Sequence, residues 1–148
     1  MKRAWAETLV RDAERQFNAR DLSAIVAGYA SGATLEMCSE GLQESFTGHA
    51  AIARAWQTVF DVFPKMQLHK QIVSFDERGT LVNEWTGSVD GKSRAYGLDL
   101  WWIDDANKVA QHKVSSFGRL VEPRSLGGAL RWLAIHPTSV LRLARGLR

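Results

Sequence analysis

The stretch LVNEWTGSVDGKSRAYGLDLWWIDDANKVAQHKVSSF, running from Leu81 to Phe117, decides the fold. Two turn signals, Asp90-Gly91 and Asp104-Asp105-Ala106-Asn107, divide it into three extended runs rich in Val, Leu, Trp and Tyr. Residues of this kind pack well on a pleated surface and Asp-Gly is a strong hairpin signal, so the stretch predicts a three-stranded antiparallel meander. Pairing Ile103 with Lys108 across the last turn sets Trp101 opposite Ala110, Asp99 opposite His112 and Gly97 opposite Val114. Directly opposed residues share a face at about 5 Å. An acid and an imidazole then meet in the middle of the sheet.

The preceding hairpin has two registers. A two-residue loop at Asp90-Gly91 sets Val82 opposite Asp99 and leaves Glu84 on the Asp99 face. A one-residue bulge puts Asn83 and Trp85 there instead, because a shift by one swaps the faces. Trp85 is the preferred reading, since it better explains an aromatic cavity with Gly97 opposite it. On the other face of the same strand, Tyr96, Leu98, Leu100 and Trp102 form a row of large residues that needs a cover, either a partner's sheet or the terminal extension folded over them.

Upstream, Trp5, Leu9, Ala13 and Phe17 recur every four residues, the mark of an amphipathic helix ending near Asn18 to Arg20. Asp21 is placed to cap a second, shorter helix over Leu22 to Tyr29, broken by Ala30-Ser31-Gly32. Ala33 to Cys38 and Leu42 to Phe46 read as short strands around a turn at Ser39-Glu40-Gly41. A third helix carries Ile52, Ala55, Trp56, Val59 and Phe60 on one stripe and stops at Phe63-Pro64. Lys65 to Phe75 is a further strand with Met66, Leu68, Lys70 and Ile72 on one side. Two helices, a hairpin, a helix and four antiparallel strands define an α+β domain with the helices on one face of the sheet.

At 148 residues the chain has the length of one domain with a single core. The opening residues mix charge with apolar side chains and form no signal-peptide pattern, and no run approaches a membrane span; a cytoplasmic protein is expected. The single Cys38 excludes an internal disulfide and a multi-cysteine metal site. The net charge of +3 hides an asymmetry: residues 1–118 carry thirteen basic and fifteen acidic side chains, and residues 119–148 carry six Arg against Glu122. A nucleic-acid-binding domain would spread its basic residues over the body, and this one does not. The four histidines, at 49, 69, 112 and 136, lack metal-ligand spacing. No phosphate-cradling or dinucleotide motif occurs, so no metal and no cofactor is expected.

Asp21-Leu22-Ser23-Ala24-Ile25 to Tyr29-Ala30, Ala33-Thr34-Leu35-Glu36, Phe46-Thr47-Gly48-His49-Ala50-Ala51-Ile52 and Gly97-Leu98-Asp99-Leu100-Trp101-Trp102-Ile103-Asp104 together resemble the nuclear transport factor 2-like superfamily. Within it the chain is most similar to SnoaL-like polyketide cyclases and ketosteroid isomerases, over residues 5–118. The resemblance implies a cone-shaped barrel, with three N-terminal-half helices packed on a strongly curved antiparallel sheet. It implies a pocket domain over residues 1–120 and leaves 121–148 as an Arg-rich helical extension. An apolar small molecule binds inside the cone in the enzymes of this family, and a homodimer commonly forms through the outer sheet face. Asp99 falls at the pocket acid of ketosteroid isomerase, Met37 at its carboxylate base and a position near Ala13 at its oxyanion-hole tyrosine. The last two chemistries are lost here, and Ser116 or Phe117 stands where the cyclases carry a late acid.

The expected function is therefore a cofactor-independent isomerase or cyclase-like enzyme acting on a hydrophobic carbonyl compound, with Asp99 and His112 moving protons. Trp85, Trp101, Gly97, Val114, Trp56, Phe17 and Met37 are the expected ligand contacts. Asp99 either stays protonated and donates to an oxyanion, or ionises, holds one ring nitrogen of His112 and frees the other as a base. The competing reading is a noncatalytic ligand-binding or dimerisation module of the same fold. The Arg-rich tail reads first as a solvated helix packed on the body, and next as a weak membrane-surface contact.

Overall fold

The computed structural model describes residues 3–39 and 42–118. The first helix, α1, spans Arg3–Asn18 and buries Ala6, Val10 and Phe17 along its apolar stripe. The second, α2, covers Leu22–Ala27, with the Asp21 carboxylate accepting from the Ala24 amide at 2.9 Å. It stops two residues short of the sequence expectation. Gly28 caps it, and Tyr29 opens strand β1 (Tyr29–Ser39) rather than closing the helix. Strand β2 (Leu42–Thr47) leads into α3 (His49–Val62), and strands β3 (Gln67–Phe75), β4 (Thr80–Val89), β5 (Lys92–Ile103) and β6 (Val109–Gly118) follow.

The six strands form one sheet in the order β2-β1-β6-β5-β4-β3, with the helices packed on one face. Neighbours run antiparallel except β1 and β6, which are parallel. The sheet is curved and unclosed, and its edges are β2 and β3. Leu35, Ile52, Leu81, Tyr29, Trp85, Trp101 and Val114 are among the residues buried between the layers.

Edge strand β3 is held by α1 through two side chains one helical turn apart. Asn18 accepts from the Leu68 amide at 2.7 Å and donates to the Leu68 carbonyl at 2.8 Å, while Glu14 accepts from the Lys70 amide at 2.6 Å. A helix rises about 6 Å over four residues and a strand about 6.7 Å over two, so these positions match.

The meander forms, but its last register differs from the sequence expectation. Trp101 pairs with His112, Asp99 with Val114 and Gly97 with Ser116, with an irregularity between Trp102 and Ile103. The turn supplies one residue of the shift, since the Asp104 carboxylate accepts from the amides of Ala106 (2.9 Å) and Lys108 (2.8 Å) and Ile103 pairs with Val109, and the irregularity that leaves Ala110 out of the ladder supplies the other. Asp99 and His112 are thus diagonal rather than opposed. The displacement is two residues, an even number, so both remain on the same face. In the β4–β5 hairpin a bulge between Gly87 and Ser88 sets Asn83 opposite Asp99 and Trp85 opposite Gly97, which is the bulged alternative.

The turn expected at Ser39-Glu40-Gly41 lies partly, and the extension over 121–148 wholly, outside the described residues. No described helix is long and apolar enough to cross a membrane.

Candidate functional site

Strands β1, β3, β4, β5 and β6 each send a polar side chain to the face that packs against the helices. Asp99 and His112 are 1 % and 3 % exposed, and Asn83 is fully buried beside them. Lys70 of β3 reaches across β4 to form a buried ion pair with Asp99 Oδ2 and lies 3.4 Å from Asn83 Oδ1. Trp85 Nε1 donates to Asp99 Oδ1 at 3.1 Å. On the other side of the acid, His112 Nε2 is 3.4 Å from Asp99 Oδ1, an electrostatic contact rather than a formed hydrogen bond. Tyr29 Oη lies 2.6 Å from His112 Nδ1 and accepts from Trp56 Nε1 at 3.2 Å.

The network assigns the proton positions. Burial alone would push the Asp99 carboxyl upward, but the Lys70 ammonium and then His112 outweigh it and hold the group below the usual carboxylate range. With Lys70 paired to it, Asp99 is held as an anion, the second of the two expected states. Burial pushes the Tyr29 phenol far up, with Asp99 adding to the effect and the Trp56 bond opposing it. Tyr29 keeps its proton and, already accepting from Trp56, donates it to His112 Nδ1. The remaining proton of the neutral imidazole then sits on Nε2, facing Asp99. Burial also lowers His112 itself; Asp99 opposes that effect and Lys70 reinforces it. His112 is neutral near pH 7.

The ring nitrogen expected to be free is therefore occupied by Tyr29. A hydrogen-bonded and electrostatic chain runs from Trp56 through Tyr29 and His112 to Asp99 and Lys70.

Of the expected contacts, Trp101 stands edge-on to His112 with ring centroids 5.5 Å apart, and Trp56 lies 6.1 Å away. Phe17 packs edge-on against Trp56 at 6.0 Å. Trp85 covers Gly97, where a Cβ would sit 2.6 Å from Trp85 Cε2 and overlap the Ser115 carbonyl. Val114 is buried opposite Asp99, and Met37 is partly buried on β1. Lys70 and Tyr29 were missed. The alternation of β3 already placed Lys70 with Met66 and Leu68 on an apolar side, and a lysine among buried positions was the available signal. Tyr29 was hidden by its assignment to a helix.

The pair is covered by packed side chains. An open groove of about 470 Å³ lies along β3, β4 and β5, with Glu84, Thr86, Tyr96 and Leu98 in its lining, and two of the expected contacts, Trp85 and Gly97, also border it. Among the described residues no group of three or more His, Cys, Asp or Glu is placed to hold a metal.

A model of the SnoaL-like domain matches residues 10–112. Among solved structures, a SnoaL-like protein of unknown function from Burkholderia thailandensis superposes with a TM-score of 0.64 at 19% identity, over 77% of this chain and 96% of that one. A steroid delta-isomerase from Pseudomonas aeruginosa gives a TM-score of 0.57 at 20% identity, over 96% and 93% of the two chains. A ketosteroid isomerase homologue from Kribbella flavida gives 0.59 at 19% identity, over 81% and 82%. At such identities the likeness is one of fold. None of the curated proteins matches the sequence.

Proposed function

We propose, from the premise that this chain belongs to the SnoaL-like domain family, that it is an acid–base enzyme of the isomerase or cyclase type. Its substrate is a hydrophobic carbonyl compound, and it uses no cofactor. The observation that carries this reading is the polar chain from Tyr29 through His112 and Asp99 to Lys70, set inside an apolar core. Burying an ion pair costs several kcal/mol per ion, roughly, and apolar residues of the same volume often serve a fold as well or better. Solved structures named as isomerases support the reading through the fold they share.

The chemistry follows from the proton positions. A proton leaves the carbon beside the ligand carbonyl for the Tyr29 oxygen as the Tyr29 proton passes to His112 Nδ1. The electron pair moves onto the carbonyl oxygen as an enolate, and Asp99 stabilises the imidazolium. Return of the proton at another carbon completes an isomerisation. Trp56, Trp101, Phe17 and Met37 supply the apolar wall, with Trp56 and Met37 only partly buried.

The test is hydrogen–deuterium exchange at the α-carbons of aryl and alicyclic ketones in heavy water. Exchange that Tyr29→Phe and His112→Gln each abolish supports the reading. Ketones that bind without exchanging, or a Tyr29→Phe protein as fast as wild type, would sink it. The closed packing over Asp99 and His112 favours a second reading, a noncatalytic binding module. In that case Asp99→Asn changes ligand affinity and nothing else.

The exposed outer face, with Tyr96, Leu98 and Phe117, is the seat of a second copy of the chain in this proposal. Its two aromatic rings stack 5.2 Å apart, and an apolar face of this kind can meet its own image across a two-fold axis.

A further inference from the structure

On β5 the side chains of Tyr96, Leu98, Leu100 and Trp102 alternate with the buried Gly97, Asp99 and Trp101, so they form a ridge on the face turned away from the helices. The two flanks of this ridge differ. On the β4 side the ladder sets Thr86 and then His69 beside Tyr96, and Glu84 and then Gln71 beside Leu98. The side chains of these two rows line the open groove of about 470 Å³. On the β6 side the same rows continue into Phe117, opposite Tyr96, and Ser115, opposite Leu98, with Lys113 opposite Leu100. Phe117 is exposed and stacks on the Tyr96 ring. The ridge thus has a hollow on one flank and an exposed ring on the other, at the same level.

Charge is divided in the same way. Gln71 Nε2 donates to one oxygen of the Glu84 carboxylate, and among the described residues no cation pairs with Glu84. Lys113 Nζ lies 3.1 Å from Glu36 and is partly exposed, and an ammonium with three donors can serve a second carboxylate. An acid in need of a cation lies on the groove flank, and a cation lies on the ring flank.

Two copies that pack face to face through one sheet surface are related by a two-fold axis in the plane between the sheets. An axis across the strands sets β4 on β4 and β6 on β6, which brings groove to groove and Glu84 near Glu84. An axis along β5 exchanges the flanks. Then β6 of one copy lies over β4 of the other, with ring over groove and Lys113 near Glu84.

We propose that two copies of this chain meet across an axis along β5, so that Phe117 of each enters the groove of the other and Glu84 of each pairs with Lys113 of the other. This rests on the second copy placed on that face above and deepens it: shape and charge, which are independent, select the same axis.

The experiment is sedimentation equilibrium on full-length variants, read as a charge exchange. Glu84→Lys alone sets Lys against Lys, and Lys113→Glu alone sets Glu against Glu, so each should associate about tenfold or more weakly than wild type. An equal mixture of the two variants should associate about as tightly as wild type, because the mixed dimer holds one Glu–Lys pair of each polarity. Since Lys113→Glu also loses its contact with Glu36, a second pair of variants is read alongside. Phe117→Ala should weaken association about tenfold, whereas Val73→Ala, exposed on β3 outside the groove, should leave it unchanged. A wild-type dimer whose variants associate as tightly as wild type, or whose mixture is no tighter than either variant alone, overturns the arrangement while leaving a second copy on the face. A wild-type monomer at every concentration removes the second copy and the arrangement together, and makes residues 119–148, which follow Gly118 beside Ala95, the occupant of the groove. Neither result touches the acid–base reading, which α-deuterium exchange decides.

Discussion

Lys70 and Asp99 are the two formal charges of the site, and each makes the other tolerable. Lys70→Met strands a buried carboxylate, and such losses cost about 3–5 kcal/mol. The double variant Lys70→Met with Asp99→Leu should recover much of that. Urea unfolding of the wild type, the two single variants and the double variant measures the coupling, and a double variant as destabilised as Lys70→Met alone would contradict it. The pH response has a definite sign. His112 is lowered by burial, so between its folded pKa and the ordinary value of about 6.5 the unfolded chain binds the extra proton. Stability is fully present above about pH 6.5 and falls as the solution is acidified. Asp99, also lowered, adds a second loss below about pH 4. Replacing His112 by Gln should flatten the curve between pH 7 and 5 and, because His112 helps to hold Asp99 down, also make the lower limb shallower. Asp99 and His112 were legible in the sequence as a polar pair on one face. Their protonation was not, because it depends on Lys70 and Tyr29, which arrive from strands about thirty and eighty positions away by the pairing of strands that no local pattern encodes.

Helix α1 holds edge strand β3 through Asn18 and Glu14, and the Glu14 bond to the Lys70 amide helps fix the backbone from which the lysine reaches Asp99. Asn18→Ala removes a donor and an acceptor from Leu68 and should cost about 2 kcal/mol, read as a lower urea midpoint with unchanged slope. Gly97 has a different role. A methyl group there meets Trp85 and the Ser115 backbone together, so Gly97→Ala should destabilise by about 1–3 kcal/mol and shift the indole emission as Trp85 leaves Asp99. A variant with wild-type fluorescence and stability would show that the indole has room to spare. The Asp21 start of α2 and the Phe63-Pro64 stop of α3 were readable from local signals, while the end of α2 at Ala27 was not. The β5–β6 register was not, because the Asp104 carboxylate takes two amides into the turn and the ladder gains an irregularity after Trp102.

On the scale of the whole molecule, the outer sheet face leaves Tyr96 at 50%, Leu98 at 45% and Phe117 at 44% exposure, an apolar area on which the proposed second copy would sit. Sedimentation at rising concentration should show a dimer, and Leu98→Lys should return it to monomer with α-exchange activity reduced less than tenfold. A monomer at all concentrations removes the second copy from the proposal. The amino-acid order by itself determined the succession of helices and strands, Tyr29 excepted, that the helices share one side of the sheet, and that an acid and an imidazole share one of its faces. These follow from side-chain periodicity and turn chemistry, which act over a few neighbouring residues. Only the tertiary structure decided that β1 joins β6 in parallel, that Lys70 neutralises Asp99, that Tyr29 occupies the second nitrogen of His112, and that Asn83 and Trp101 keep donors to spare. The physical reason is that ionisation and hydrogen-bond balance in a buried patch are set by every group within a few ångströms, wherever along the chain each group originates.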